Sequence, residues 1–157
     1  MSESFKDKVA ALGYELPSPP SPKGSYLPVR RYGELIFTSG TGANINGTRL
    51  YTGTVGKTVS VEDAQKSARY ALLNNLANIY AEVGEDIKYL RVLKLTGYVS
   101  SSHDFHEQAK VVNGASDFLF DLFGENGRHS RSAIGVSSLP FDLSVEIEMI
   151  AVIEKDS

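Results

Sequence analysis

Two stretches with a helical repeat, each about twenty residues long and each followed by a segment with strand character, restrict this chain more than any other feature. In the first, Ala64, Ala68, Leu72, Asn75 or Leu76, Ile79 and Val83 recur at three- and four-residue steps and so share one side of a helix. Ser60 and Asp63 supply a cap and an acidic first turn, and Gly84 supplies a stop, so the spacing predicts a helix over 60–83. The second stripe, Phe105, Ala109, Val112, Ser116, Leu119 and Phe123, predicts a helix opened by Ser102 or Asp104 and closed by Gly124.

Around these helices the period drops to two. "YLRVLKLTGYVSS", 89–101, alternates and is rich in β-formers. Residues 25–38 read as two strands turned at Gly33, and Asn46-Gly47 is the strongest hairpin signal in the chain. Segments 131–137 and 143–154 read as closing strands joined by "SLPFD". The order strand, strand, helix, strand, helix, strand, strand predicts an α+β sandwich, with the two long helices on one face of a four- to six-stranded sheet. The other face retains apolar residues, and a second copy of the chain is their simplest cover, so an oligomer is expected. Ahead of this, residues 2–13 predict a short peripheral helix capped by Ser2 or Ser4. "LPSPPSPKG", 16–24, holds four of the six prolines and predicts an extended arm. The chain divides into a helix and arm, 1–23, and a main domain, 24–157.

Composition narrows the chemistry. A chain of 157 residues with 41% hydrophobic residues can bury one sizeable core unaided. It has no cysteine, hence no thiol nucleophile, thiolate-held metal or disulfide. A net charge of −3 without a basic stripe argues against nucleic acid and for a small-molecule ligand. The polar start lacks the basic and apolar pattern of a signal peptide, and no stretch has the uncharged length to span a bilayer, so a cytoplasmic protein is expected. "GTVGKT", 53–58, fails as a phosphate loop because Tyr51 stands where its first glycine is required. His103 and His106 have no second ligand motif and read as surface caps of the second helix, and no G-x-S-x-G is present. No metal or other cofactor is expected.

The segment "RSAIGVSSLPFDLSVEIEMIAVIE", 131–154, is mostly apolar yet carries Arg131, Glu146 and Glu148. Alternation puts Val145, Ile147, Met149, Ala151 and Ile153 on one face and both glutamates on the other. Either Arg131 pairs with a glutamate across adjoining strands as a structural ion pair, or Arg131 grips a ligand carboxylate while a glutamate manages a water or a proton.

This segment is similar to the arginine-serine, leucine-proline and valine-glutamate-isoleucine-glutamate signature of the YjgF/RidA family, the L-PSP endoribonuclease-like proteins, with the same internal spacing. "GSYLPV", "FTSG" at 37–40 and "VVNGASDFLFDLF" add weaker likeness, so the resemblance covers about residues 24–154. It implies a trimer with a chorismate-mutase-like fold and sites between subunits. It also implies a deaminase that hydrolyses 2-imino acids to 2-keto acids and ammonia. Carried over by position, Arg131 would bind the substrate carboxylate and Glu146 the water. Tyr26, the Ser39-Gly40 loop and Asn113 would complete the pocket, and backbone near Ala133, where many members carry cysteine, would meet the reacting nitrogen. The alternatives are a protein that only senses a keto acid or amino-acid metabolite and, behind it, an endoribonuclease.

Overall fold

The computed structural model describes residues 2–19 and 21–155. Its elements are α1 (Phe5–Ala11), β1 (Val29–Tyr32), β2 (Leu35–Thr38), the ribbon β3 (Asn44–Ile45) and β4 (Thr48–Arg49), α2 (Val61–Val83), β5 (Leu90–Ser100), α3 (Gln108–Phe123), β6 (Ser130–Val136) and β7 (Val145–Ile153). Five strands form one mixed sheet in the order β1-β2-β7-β5-β6, in which only β5 and β6 run parallel. Two crossovers, β2 to β5 through α2 and β5 to β6 through α3, lay both long helices on one face. This is the expected α+β sandwich.

Local chemistry accounts for most boundaries. Ser60 accepts a hydrogen bond from the Asp63 amide at 3.1 Å and opens α2, and Gly84 and Gly124, both at φ 59°, end the long helices. Asn46 and Gly47 turn the ribbon with φ of 52° and 86°, the pair of positive angles that a two-residue hairpin needs. The start of α3 differs from expectation. Ser102 and Phe105 close a turn of their own, with the Phe105 amide donating to the Ser102 carbonyl at 3.0 Å, so the helix begins only at Gln108. His103 lies exposed in that turn and His106 exposed just beyond it, rather than capping a helix.

The core lies between sheet and helices. β7 sends Val145, Ile147, Met149, Ala151 and Ile153 into it, each at most 3% exposed. Burying side chains of this size contributes about 1.5–3 kcal/mol each, more than enough to fix the register. Helix α1 is not peripheral. Phe5 and Val9 are buried, and the Phe5 ring stacks on Tyr80 and Phe123 at 5.9 and 5.8 Å. The opposite sheet face is bare in the single chain, where Phe37, Leu93 and Ile134 are 40%, 38% and 42% exposed.

One expectation about neighbours is corrected. β6 and β7 do not adjoin, because β5 lies between them, paired parallel to β6 and antiparallel to β7. The connection 137–144 passes the end of β5 through Phe141 and Asp142, at φ 60° and 59°. An ion pair between Arg131 and either glutamate is therefore out of reach. Among the described helices, none is long and apolar enough to cross a membrane.

Candidate active site in two halves

Glu146 and Arg131 leave opposite faces of the sheet. On β7, Glu146 stands opposite Tyr98 of β5, away from the helices. On β6, Arg131 stands opposite the fully buried Leu95 and turns toward α3. The residues singled out from the sequence fall into two groups around these two side chains.

The first group is built where β2 ends. Thr38 donates its hydroxyl to Asn75 Oδ1 and accepts from the Met149 amide at 2.9 Å, while Asn75 Nδ2 reaches the Ile147 carbonyl at 2.9 Å. Thr41 and Ile147 exchange backbone hydrogen bonds at 2.9 Å each. This knot fixes the 39–42 loop beside Glu146. Gly40 is glycine for space: a Cβ there would sit 3.0 Å from the Glu146 carboxyl. Ser39 turns its hydroxyl to the Leu27 carbonyl at 2.6 Å and its amide to Pro28 at 2.9 Å, so it holds the incoming chain. Tyr26, half-exposed, accepts from the Lys23 amide at 3.2 Å. Tyr26, Ser39, Gly40 and Glu146 line one recess of about 200 Å³, with Ser21, Pro22 and Lys23 of the proline arm along its side.

Glu146 is half-buried and receives no hydrogen bond from the described residues, whereas Glu148 accepts the Tyr98 hydroxyl at 2.8 Å. Burial first, and repulsion by Glu148 second, hold the Glu146 carboxyl above its ordinary range. In the unfolded chain that carboxyl binds its proton less tightly. The stability gained is therefore present at low pH and lost as pH rises through the shifted value. Glu146→Gln removes this loss. The variant should melt higher than its parent at about pH 7–8, with the gap closing toward about pH 4, where an unfolded carboxylate titrates. Thermal denaturation across that range checks the sign, and a parent that melts at or above the variant throughout contradicts it.

The second group surrounds Arg131. Its Nη1 donates to Asn113 Oδ1 at 2.8 Å and to Ser116 Oγ at 3.2 Å. Ser116 Oγ lies 2.9 Å from His129 Nε2, and His129 Nδ1 lies 2.7 Å from the Gly127 carbonyl. A carbonyl can only accept, so Nδ1 carries the proton, Nε2 accepts from Ser116, and the Ser116 oxygen is left to accept from Arg131. Burial chiefly, helped by the charge of Arg131 and opposed by the Gly127 bond, pushes the His129 pKa down and keeps the ring neutral. Both bonds use Nη1. The Nε and Nη2 edge of Arg131 makes none to the described residues, nor does Arg131 meet a carboxylate there within ion-pair distance. That edge is the fork that grips a carboxylate through two parallel hydrogen bonds. Ala133 follows on the same face, half-buried against the core.

The fold thus joins Arg131 to Asn113, and Glu146 to Tyr26, Ser39 and Gly40, but keeps the two groups apart within one chain. Ser116 and His129 were missed from the sequence. In the sequence Ser116 stands only within the second helical stripe, and His129 belongs to no motif. Among the described residues, no three His, Asp or Glu side chains converge as a metal site.

The chain resembles known proteins over most of its length. The model of the family described as "YjgF/chorismate mutase-like, putative endoribonuclease" matches residues 6–152, which takes in α1 and the proline arm as well as the sheet. Protein TCP17 of Trypanosoma cruzi is 36% identical over 155 residues, 96% of this chain and 97% of its own length. A 2-iminobutanoate/2-iminopropanoate deaminase of Dermatophagoides farinae is 28% identical over 139 residues, 88% of this chain and 93% of its own. The crystal structure of Atu1372 from Agrobacterium tumefaciens, a protein of unknown function, superposes with a TM-score of 0.89 at 38% identity, covering 96% of this chain and 92% of that one.

Proposed function

The chain belongs to the YjgF/RidA family, and from that premise we propose that it is a deaminase of small 2-imino acids, working as a homotrimer in the cytoplasm. The observation that carries this reading is the uncommitted edge of Arg131, a carboxylate receptor with no carboxylate of the described residues to fill it. A relative at 28% identity that acts on 2-iminobutanoate and 2-iminopropanoate supports it.

The chemistry follows from the residues. An imine carbon is already electrophilic, so hydrolysis asks for positioning and a directed water more than for a strong nucleophile. The substrate carboxylate pairs with Nε and Nη2 of Arg131, while Nη1 stays anchored to Asn113 and Ser116. Glu146, deprived of donors and raised in pKa, accepts a proton from water as the oxygen attacks the imine carbon. Return of that proton to nitrogen gives the carbinolamine. Glu146 then takes the proton of the new hydroxyl as the C=O bond forms and passes it to nitrogen as the C–N bond breaks, releasing ammonia and the 2-keto acid. Backbone near Ala133 meets the nitrogen, and Tyr26 with the arm closes the mouth. Since Arg131 and Glu146 lie on opposite faces, each site takes its arginine from one subunit and its glutamate from the next. The bare sheet face gives the subunits a surface on which to meet.

The test couples release of keto acid from a freshly generated 2-imino acid to its reduction, beside calorimetry with 2-ketobutyrate. Faster release than the spontaneous rate is expected. Binding of the keto acid without acceleration would replace the deaminase with a metabolite sensor.

A further inference from the structure

Phe141 breaks two ordinary preferences. A large apolar ring usually turns inward, yet this one is 55% exposed, and its backbone is left-handed, at φ 60° and ψ 23°, a conformation that strains a bulky residue. The turn is held by what surrounds it. The Asp142 carbonyl accepts from the Gly53 amide at 2.8 Å, the Leu143 amide donates to the Pro140 carbonyl at 3.2 Å, and the buried Leu143 packs against Gly42. What the strained turn presents is the ring, and on it lies a guanidinium, with Arg49 Cζ 4.3 Å from the ring centroid.

Arg49 stands on an equally firm base. It pairs in the ribbon with Asn44, and the buried Asn74 amide donates to the Asn44 and Gly42 carbonyls at 2.9 and 2.8 Å. The next residue, Leu50, donates its amide to Ala43 at 2.8 Å. A guanidinium packed on a ring through its face keeps its in-plane N–H donors for an anion. Arg49 and Phe141 line the Glu146 recess, as does Lys23 of the arm, and Glu146 is the one carboxylate among the described lining residues. Neither cation meets a carboxylate of the described residues within ion-pair distance. An arginine that served only solubility would need neither the ring nor the strained turn beneath it.

Resting on the reading of this recess as part of an imino-acid site, we propose that Arg49, seated on Phe141, grips a second carboxylate at the end of the substrate's side chain. The preferred substrates are then dicarboxylic 2-imino acids. The carboxylate beside the imine goes to Arg131, and an alkyl-ended substrate leaves Arg49 unpaired.

Calorimetry on the full chain at low ionic strength would compare 2-oxoglutarate and 2-oxoadipate with 5-methyl-2-oxohexanoate and 6-methyl-2-oxoheptanoate, in which an isopropyl group replaces the distal carboxylate. Wild type should bind at least one diacid about tenfold or more tightly than its isostere, the added hold of a bidentate charge pair, and Arg49→Met should lower that ratio at least about fivefold. A smaller margin in wild type, a smaller fall in Arg49→Met, or binding of none of the four overturns the proposal. If Arg49→Met fails to fold, as read by circular dichroism, the wild-type ranking alone decides. In parallel, turnover would be compared for the imines that amino-acid oxidases release from glutamate and from 2-amino-5-methylhexanoate. Acceleration of neither sinks the deaminase reading while the binding ratio still judges Arg49, and equal rates or preference for the alkyl imine count against Arg49 alone.

Discussion

Arg131→Ala should lower kcat/KM for 2-imino acid hydrolysis by about a thousandfold, the effect of removing one partner from a desolvated, doubly hydrogen-bonded charge pair. Stability should change little, because among the described residues the guanidinium makes two hydrogen bonds, both to neutral partners, Asn113 and Ser116, from an edge strand. Arg131→Lys is the sharper variant. It keeps the charge but not the planar fork, so it should recover only a small part of the lost activity. Affinity for 2-ketobutyrate should fall in step, since the same edge holds product. Turnover that survives in Arg131→Ala would remove the carboxylate grip from the mechanism.

Mixing two inactive variants should restore activity. Arg131→Ala keeps its glutamate, and Glu146→Gln keeps its arginine. If each site draws one from each of two neighbouring subunits, some sites in mixed trimers hold both. In a cyclic trimer reassembled at random from equal parts, about a quarter of the sites combine a wild-type arginine with a wild-type glutamate. Activity near that fraction of wild type is expected after the variants are unfolded together and refolded, and none when they are refolded apart. Were both groups supplied by one chain, no mixture could contain an intact site. The opposite exits of Arg131 and Glu146 from the sheet make this the most direct probe of whether subunits share the chemistry.

Much of the fold was legible. The alternation Val145, Ile147, Met149, Ala151, Ile153 named an inward face and put Glu146 and Glu148 on the other, because strand geometry leaves a residue only two directions to point. The stripe over α2 named that helix's inner face for a similar reason, whereas over α3 it found Val112 and Leu119 but took in the exposed Ala109 and missed Val111, Ala115, Phe118 and Leu122. What alternation does not encode is which strand lies beside which. The shortness of "SLPFD" suggested that β6 and β7 pair, but two crossovers place β5 between them, so the ion-pair reading of Arg131 had no partner in reach. The signature around Arg131 and Glu146 identified both side chains without revealing that one faces the helices and the other the bare face. Asn74 and Asn78 were silent in the sequence, since a periodicity reading follows apolar positions and treats a polar residue between them as solvated. His129 was silent as well. Its neutral state depends on burial and on Gly127 and Ser116 being brought to its two nitrogens.

The sequence by itself determined the elements, their inward faces and the residue types offered for chemistry, because these follow from local periods of 2 and 3.6 and from the caps and glycines that bound them. Strand order, the separation of Arg131 from Glu146, and the burial of Asn74 and Asn78 on α2 were decided only by tertiary structure. They depend on contacts between segments far apart in the chain, and no local period records which distant surface will arrive to bury a group, pair it or leave it waiting for a ligand.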